Sequence, residues 1–410
     1  MRCRRYIGNI RIKLEATVDN TSAKQRKNTF WNELLHPQKS VVFRTRGGMD
    51  KAFLLIVLAL VAFGSVMIFS AGYVYAEKRF GDSFYFVKRQ FIYALIGVLV
   101  MILLSNIDYN IMKRFALPVY VVAAVLLLLV LVPGVGVTAK GATRWLAIGP
   151  ISFQPSEVAK FAVVLMMASY ISFNEKRMHK FTYGILIPAM LIGAICVLTV
   201  LEHHMSGTII IFLIGASMIF IGGADPRWLG AIGGAFGAGA LGIILFTDYT
   251  KDRIDAWLHP ESDLLGKGWQ PYQSLLAIGS GGLLGVGLGN SYQKHLWLPE
   301  PQNDFIFAVV CEELGLIGAL LLAALFFLLI RQGFIIARRA PDTFSSVLCA
   351  GLTAKVGIQA ILNIAVVTAS IPTTGISLPF FSYGGSALVM QLAEMGIILS
   401  ISRYTRTRKL

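Results

Sequence analysis

The chain has 410 residues, of which 56% are hydrophobic and only 14% charged, with a mean hydropathy of +0.67. Soluble chains carry about 25% charged residues, so a water-facing globular protein is excluded. The formal charge of +15 does not indicate nucleic-acid binding, because the basic residues gather in tails and short loops between apolar runs, as in membrane proteins.

Residues 1–48 are polar and basic and lack the apolar core of a signal peptide. They are expected to be a disordered cytoplasmic tail or an upstream start not used in the cell. Apolar runs long enough to cross a bilayer follow near 53–72, 87–105, 115–133, 157–173, 184–201, 207–223, 228–246, 305–330, 345–367 and 384–402. The reading is an all-α integral membrane protein with about ten transmembrane helices. The membrane domain covers 49–403, and 404–410 is a second basic tail. With the N-terminus in the cytoplasm, Lys and Arg fall mainly inside, and an even number of spans returns the C-terminus there too.

Residues 247–304 form a large extracytoplasmic loop between the seventh and eighth spans, expected to be ordered and functional. Its glycine run, Gly279 to Gly289, lacks the Lys-Ser/Thr of a phosphate loop and reads as close helix packing or a re-entrant turn. Cys196, Cys311 and Cys349 lie in apolar runs without a paired pattern, so neither a disulfide framework nor a zinc site is expected.

Ionisable side chains inside spans are costly and face a cavity or a partner. Here they are Glu157, Lys160, Glu312, Glu313, Lys355 and Glu394. Glu157 and Lys160 share a helical face, either as a structural pair or as the wall of an outward-open cavity. Lys355, Gln359 and Asn363 form one polar stripe and Gln391 with Glu394 another, read first as helix-joining hydrogen bonds. Asp304 follows Pro299 and Pro301 and precedes an apolar run. That puts a carboxylate at the outer water–membrane boundary, as a helix cap, a reacting group or both.

Together these features resemble the SEDS family of polytopic membrane proteins (FtsW, RodA and SpoVE) from about residue 50 to 403. Four stretches carry the resemblance. They are Arg144-Trp145-Leu146 with Gln154-Pro155-Ser156-Glu157 and Lys160; Gln273-Ser274 through Gly282 to Gly289; Leu298-Pro299-Glu300, Asp304 to Ala308 and Glu312 to Gly315; and Thr374-Gly375 through Ser386. Gln293-Lys294 before Leu298-Pro299-Glu300-Pro301 looks more like FtsW or SpoVE than RodA. One departure stands out: the family often has Pro-Asp-Leu-Gly where this chain has Glu202-His203-His204-Met205-Ser206-Gly207.

The resemblance implies a peptidoglycan glycosyltransferase that polymerises lipid II at the outer face of the bacterial cytoplasmic membrane, in division or sporulation. Its implied partners are a class B penicillin-binding protein and other division or sporulation membrane proteins. The family's essential aspartate falls on Asp304, and its paired intramembrane charges fall on Glu157 and Lys160. Arg144 and Lys160 are expected to meet the pyrophosphate, with Lys355, Gln359, Ser382 and Gly384 as further substrate contacts. No cofactor is required if Asp304 is a general base; a divalent cation, Mg or Mn, with Asp304 as ligand is the alternative. A lipid II flippase or a non-catalytic division scaffold are the competing readings. A flippase is expected to place its polar path at the midplane, where Asp304 does not lie.

Overall fold

The computed structural model describes residues 47–404, except 140–141, 149–150, 229, 232, 235–256, 260, 262–265 and 267. The expected span 228–246 therefore falls largely outside the described residues, as do nearly all of both tails. The other nine expected runs are all helical. They are α1 Lys51–Phe80, α2 Tyr85–Asn106, α3 Asn110–Val130, α4 Pro155–Asn174, α5 Ile187–Leu201 and α6 Met205–Ile221. After α7, Trp269–Gly281, come α8 Ile306–Arg339, α9 Thr343–Val367 and α10 Gly385–Ser402. Among the described residues eight helices are long and apolar enough to cross a membrane, and α6 is a shorter apolar helix. A π-helical turn, Thr182–Leu186, leads into α5.

Local chemistry explains where helices start. The Asp50 side chain caps α1 by accepting from Phe53 N, and Asp342 caps α9 by accepting from Ser345 N. Pro155 opens α4 at a position where a missing N–H costs nothing. The all-α membrane architecture holds, with one small extramembrane element added. Between α3 and α4 lie three short antiparallel strands in the order β1-β2-β3: β1 Gly136–Ala139, β2 Ala142–Ile148 and β3 Ile151–Phe153.

Burial separates the helices into centre and rim. Within their most apolar windows α4 is 83% buried, α9 72% and α10 67%, against 22% for α2 and for α3. Rim helices turn large apolar side chains outward, among them Phe91, Leu95, Leu99, Val122 and Phe327, as lipid contact requires. Helices α2 and α10 approach closely on small residues: a Cβ on Gly396 would sit 2.5 Å from the Met101 carbonyl oxygen. Both ends of the described chain meet, because Gly47 N donates to Arg403 O at 2.8 Å.

The glycine run packs into a break in α8. Gly315 has φ 65° and ψ −164°, so the helix is interrupted there. The interruption releases hydrogen-bonding groups that the loop takes up. Val286 N and Gly287 N donate to Glu312 O and Glu313 O, while Leu316 N and Ile317 N donate to Gly282 O and Leu283 O. The four bonds pair backbone groups that the break would otherwise leave without a helical partner, as burial demands. The side chains of the same two glutamates hold the loop that follows. Glu312 accepts from Ser291 Oγ and Tyr292 N; Glu313 accepts from Ser70 Oγ and from Lys294 Nζ at 2.7 Å. Glu312 and Glu313 thus fix the approach to Pro299 and Asp304.

Candidate functional site

A cavity of about 1380 Å³ opens at the end of the bundle opposite the meeting termini. Four helices begin on it: α4 at Gln154, α6 at His204, α8 at Phe305 and α10 at Gly384. None of these four starts has a side-chain cap, whereas α1 and α9, capped by aspartates, start at the other end. Uncapped helix starts leave N–H groups and positive dipole ends directed at the cavity. The cavity thus sets helix starts and the cations Arg89, Arg144 and Lys160 beside the carboxylates Glu157, Glu300 and Asp304, so it offers an anionic ligand and a proton acceptor in one space.

Asp304 lines the cavity, half-buried, on the turn that leads into α8. The cap position of α8 falls on Phe305, which makes no side-chain cap bond. The backbone around Asp304 is held on both sides. Asn363 Nδ2 donates to Asp304 O at 2.7 Å and to Ile376 O at 2.6 Å. Ser382 Oγ donates to Asn303 O at 2.8 Å and accepts from Leu378 N at 2.7 Å. Tyr383 N donates to Gln302 O at 2.9 Å. The segment 375–383 is thereby stitched to the Asp304 turn, and Gly375 lies against the carboxylate: a Cβ there would sit 3.1 Å from Oδ2.

The opposite wall carries the charges of α4. Lys160 Nζ pairs with Glu157 Oε1 at 2.7 Å and reaches Gln359 Oε1 at 3.2 Å. Gln359 in turn donates to Ser377 O at 3.0 Å, so α4 and α9 are joined to the 375–383 segment. Arg144, on β2, lines the cavity and donates to His203 O at 2.5 Å. Asp304, Glu157, Lys160, Arg144, Gln359, Ser382 and Gly384 all line one cavity. Lys355 is not among the lining residues; it is 1% exposed and pairs with Glu394 behind the wall. That pair joins α9 to α10, as the polar stripes suggested.

Sequence reasoning passed over Arg89 and Tyr93, on α2, which line the same cavity. The signal was a cation just inside an apolar run, which reads equally well as an interfacial anchor. The Glu202–Gly207 departure also reaches the site. His204 lines it and is 7% exposed, while Glu202 is 3% exposed and has no hydrogen-bond partner on either carboxylate oxygen. Burial pushes the Glu202 carboxyl up to about 8, against the pull of Arg144. Burial, with the positive charge of Arg144, pushes His204 down to about 3. Among the described residues no three His, Cys, Asp or Glu side chains gather in a metal-binding group. The described donor set does not fit a divalent cation held by protein side chains alone.

Comparison with known proteins agrees with this architecture. The FtsW/RodA/SpoVE family model, described as "Cell cycle protein", matches residues 50–407. Stage V sporulation protein E of Bacillus subtilis is 41% identical over 364 residues, covering 87% of this chain and 98% of that one. A probable peptidoglycan glycosyltransferase FtsW of Geobacter sulfurreducens is 41% identical over 357 residues, covering 86% and 95%. Among solved structures, a chain from a peptidoglycan synthase complex that coordinates polymerization and crosslinking matches with a TM-score of 0.72 at 28% identity, covering 87% of this chain and 98% of that one. The rod shape determining protein RodA of Thermus thermophilus matches with a TM-score of 0.65 at 27% identity, covering 88% and 98%. This chain belongs to the FtsW/RodA/SpoVE family of multi-pass membrane proteins.

Proposed function

We propose that this chain is a peptidoglycan glycosyltransferase that polymerises lipid II at the outer face of the cytoplasmic membrane. One observation carries the reading: the Asp304 carboxylate shares a single cavity with Lys160 and Arg144. Relatives named as peptidoglycan glycosyltransferases, similar over most of their length, support it. The cavity faces outward. Lys51, Arg338, Arg339 and Arg403 cluster at the far end with the meeting termini, the end that the positive-inside rule places in the cytoplasm. The working partner is a class B penicillin-binding protein, in keeping with the similarity to a chain of a synthase complex.

The acceptor is a sugar hydroxyl, a weak nucleophile. Asp304 accepts its proton as the hydroxyl oxygen attacks the anomeric carbon of the donor. The bond from that carbon to the lipid pyrophosphate breaks, and the pyrophosphate leaves with the electron pair. A pyrophosphate needs no protonation to leave, so one carboxylate suffices where most glycosidases need two. Lys160, Arg144 and the starts of α4 and α6 meet the charge that develops on it. An α-linked donor then gives a β-linked product by a single inverting displacement.

The test is glycan polymerisation on labelled lipid II by the purified protein with its penicillin-binding partner, comparing wild type with Asp304→Ala and Asp304→Asn. Long glycan from wild type and none from either folded variant is expected, with lipid II binding retained by Asp304→Asn. Equal glycan from all three would remove Asp304 from the chemistry and return the flippase reading.

A further inference from the structure

We infer that the free edge of β3 is a peptide-binding strand, and that it takes the pentapeptide branch of lipid II while the sugars lie at Asp304. The inference deepens the polymerase reading and rests on lipid II as the ligand. It concerns the part of that ligand which glycan transfer itself leaves unused.

The sheet has the order β1-β2-β3, so β3 is an edge strand among the described residues. Its register decides which backbone groups face outward. Ile148 pairs with Ile151 across a connection of two residues, then Ala147 pairs with Ser152 and Leu146 with Phe153, all antiparallel. The pair that closes so short a connection exchanges hydrogen bonds, and bonded and non-bonded pairs alternate from there. Ile151 and Phe153 therefore direct their N–H and C=O groups at β2. Ser152 turns both of its groups the other way, to the side that no described strand occupies. Ser152 is exposed and lines the cavity. An extended peptide laid there gains two backbone hydrogen bonds at one residue, as in strand addition.

The face beside that edge offers contacts for side chains. Strand alternation puts Trp145, Ala147 and Ser152 on one face and Leu146 with Phe153 on the other. Gln154, extended at φ −103° and ψ 111°, continues the first set. Trp145, Ser152 and Gln154 all line the cavity, whereas Leu146 is buried on the inner face. Reach agrees. The cavity of about 1380 Å³ is about 14 Å across if taken as a sphere, and five extended residues span about 17 Å. A peptide tied to a sugar at Asp304 thus reaches the β3 edge, which borders the same space. That shared space favours the substrate's own peptide over a strand from another protein, which would have to enter the cavity beside the sugars.

The experiment is direct binding to the purified full chain in detergent with two probes: lipid II carrying a shortened prenyl chain, and the same lipid-linked disaccharide without its peptide. Wild type is expected to bind the peptide-bearing probe about tenfold more tightly, as two added hydrogen bonds allow. Ser152→Pro removes the outward N–H at an edge position where proline is tolerated. It should bring the two affinities together and leave the peptide-free one unchanged. Ser152→Ala keeps the backbone donor and should keep the difference, and Trp145→Ala should reduce it. Equal affinities in wild type overturn the inference, as does a full difference in folded Ser152→Pro or an equal loss for both probes. A penicillin-binding partner lost from Ser152→Pro with the difference intact gives the edge to that partner and also overturns it. If Ser152→Pro does not fold, the wild-type ratio and Trp145→Ala decide. Binding needs no turnover, so failure of the polymerase reading in the Asp304 assay and failure of this peptide site are distinguishable.

Discussion

Asn363 Nδ2 donates both to the backbone carbonyl of Asp304 and to that of Ile376, so one buried amide ties the turn bearing the carboxylate to the segment that lies against it. Asn363 is fully buried at the C-terminal end of the Lys355, Gln359 and Asn363 stripe of α9. Replacing it with Leu removes both bonds and leaves two carbonyls short of a donor. The expected cost is about 1–3 kcal/mol of stability. The expected loss of polymerisation rate is larger, roughly 100-fold, because a displacement near 1 Å at a reacting group has that effect. Thermal unfolding and glycan synthesis measured on Asn363→Leu separate the two. An unfolding loss with full activity would mean that Asp304 is placed by other contacts.

Gly375 isolates the same relationship from stability. Its backbone does not occupy the left-handed region, so Ala is tolerated there conformationally. The added Cβ would stand 3.1 Å from Asp304 Oδ2 and push on the carboxylate. Gly375→Ala is expected to change stability by less than about 0.5 kcal/mol while lowering polymerisation at least tenfold. Unchanged activity would show that the carboxylate has room to move and still function.

The Lys294–Glu313 pair predicts a different signature. Both side chains are fully buried, and the one Ser70 hydroxyl proton is shared between the two oxygens of the same carboxylate. Glu313→Gln leaves an ammonium buried without its counter-charge, at a cost of about 3–5 kcal/mol. The double replacement Lys294→Met with Glu313→Leu removes both charges and should recover most of that loss. Thermal unfolding of the two variants is the check; a double variant no better than the single would locate the cost in Ser70 and the lost packing instead. Because this pair fixes the loop that leads to Pro299 and Asp304, Glu313→Gln should also lower activity without touching the cavity.

What could be read from the amino-acid order was whatever depends on periodicity. The i, i+3 spacing of Glu157 and Lys160 and the i, i+4, i+8 stripe of Lys355, Gln359 and Asn363 became the contacts that join α4, α9 and α10. Asp304 was legible because two prolines and an apolar run bracket it. Features set by distant partners were not legible. The break at Gly315 exists because Gly282 to Gly287 supply its missing hydrogen bonds from outside the helix. Lys294 stood in the sequence only as part of the Gln293-Lys294 motif, and its buried pairing with Glu313 is set by the fold. Arg89 reached the cavity only through the packing of α2 on α10, and β1 to β3 are too short to announce themselves by alternation.

The Glu202-His203-His204 segment makes stability depend on pH with a definite sign. Burial raises Glu202 to about 8 from an ordinary 4.5, so the folded protein holds this proton where the unfolded chain has lost it. That contribution is complete below pH 4.5 and is lost as pH rises through 8. His204 works the other way: lowered to about 3 from 6.5, it contributes stability above pH 6.5 that is lost as pH falls through 3. Between pH 4.5 and 6.5 the two slopes oppose each other, and between 6.5 and 8 Glu202 alone of the pair contributes a slope. Unfolding temperature should therefore fall from pH 6.5 to 8. Glu202→Gln, which keeps the neutral shape, should flatten that fall and raise the unfolding temperature at pH 8. His204→Gln should leave the fall intact. A wild-type profile flat across pH 6.5 to 8 would mean that water or Arg144 solvates the carboxylate, and that Glu202 is ionised in the folded protein.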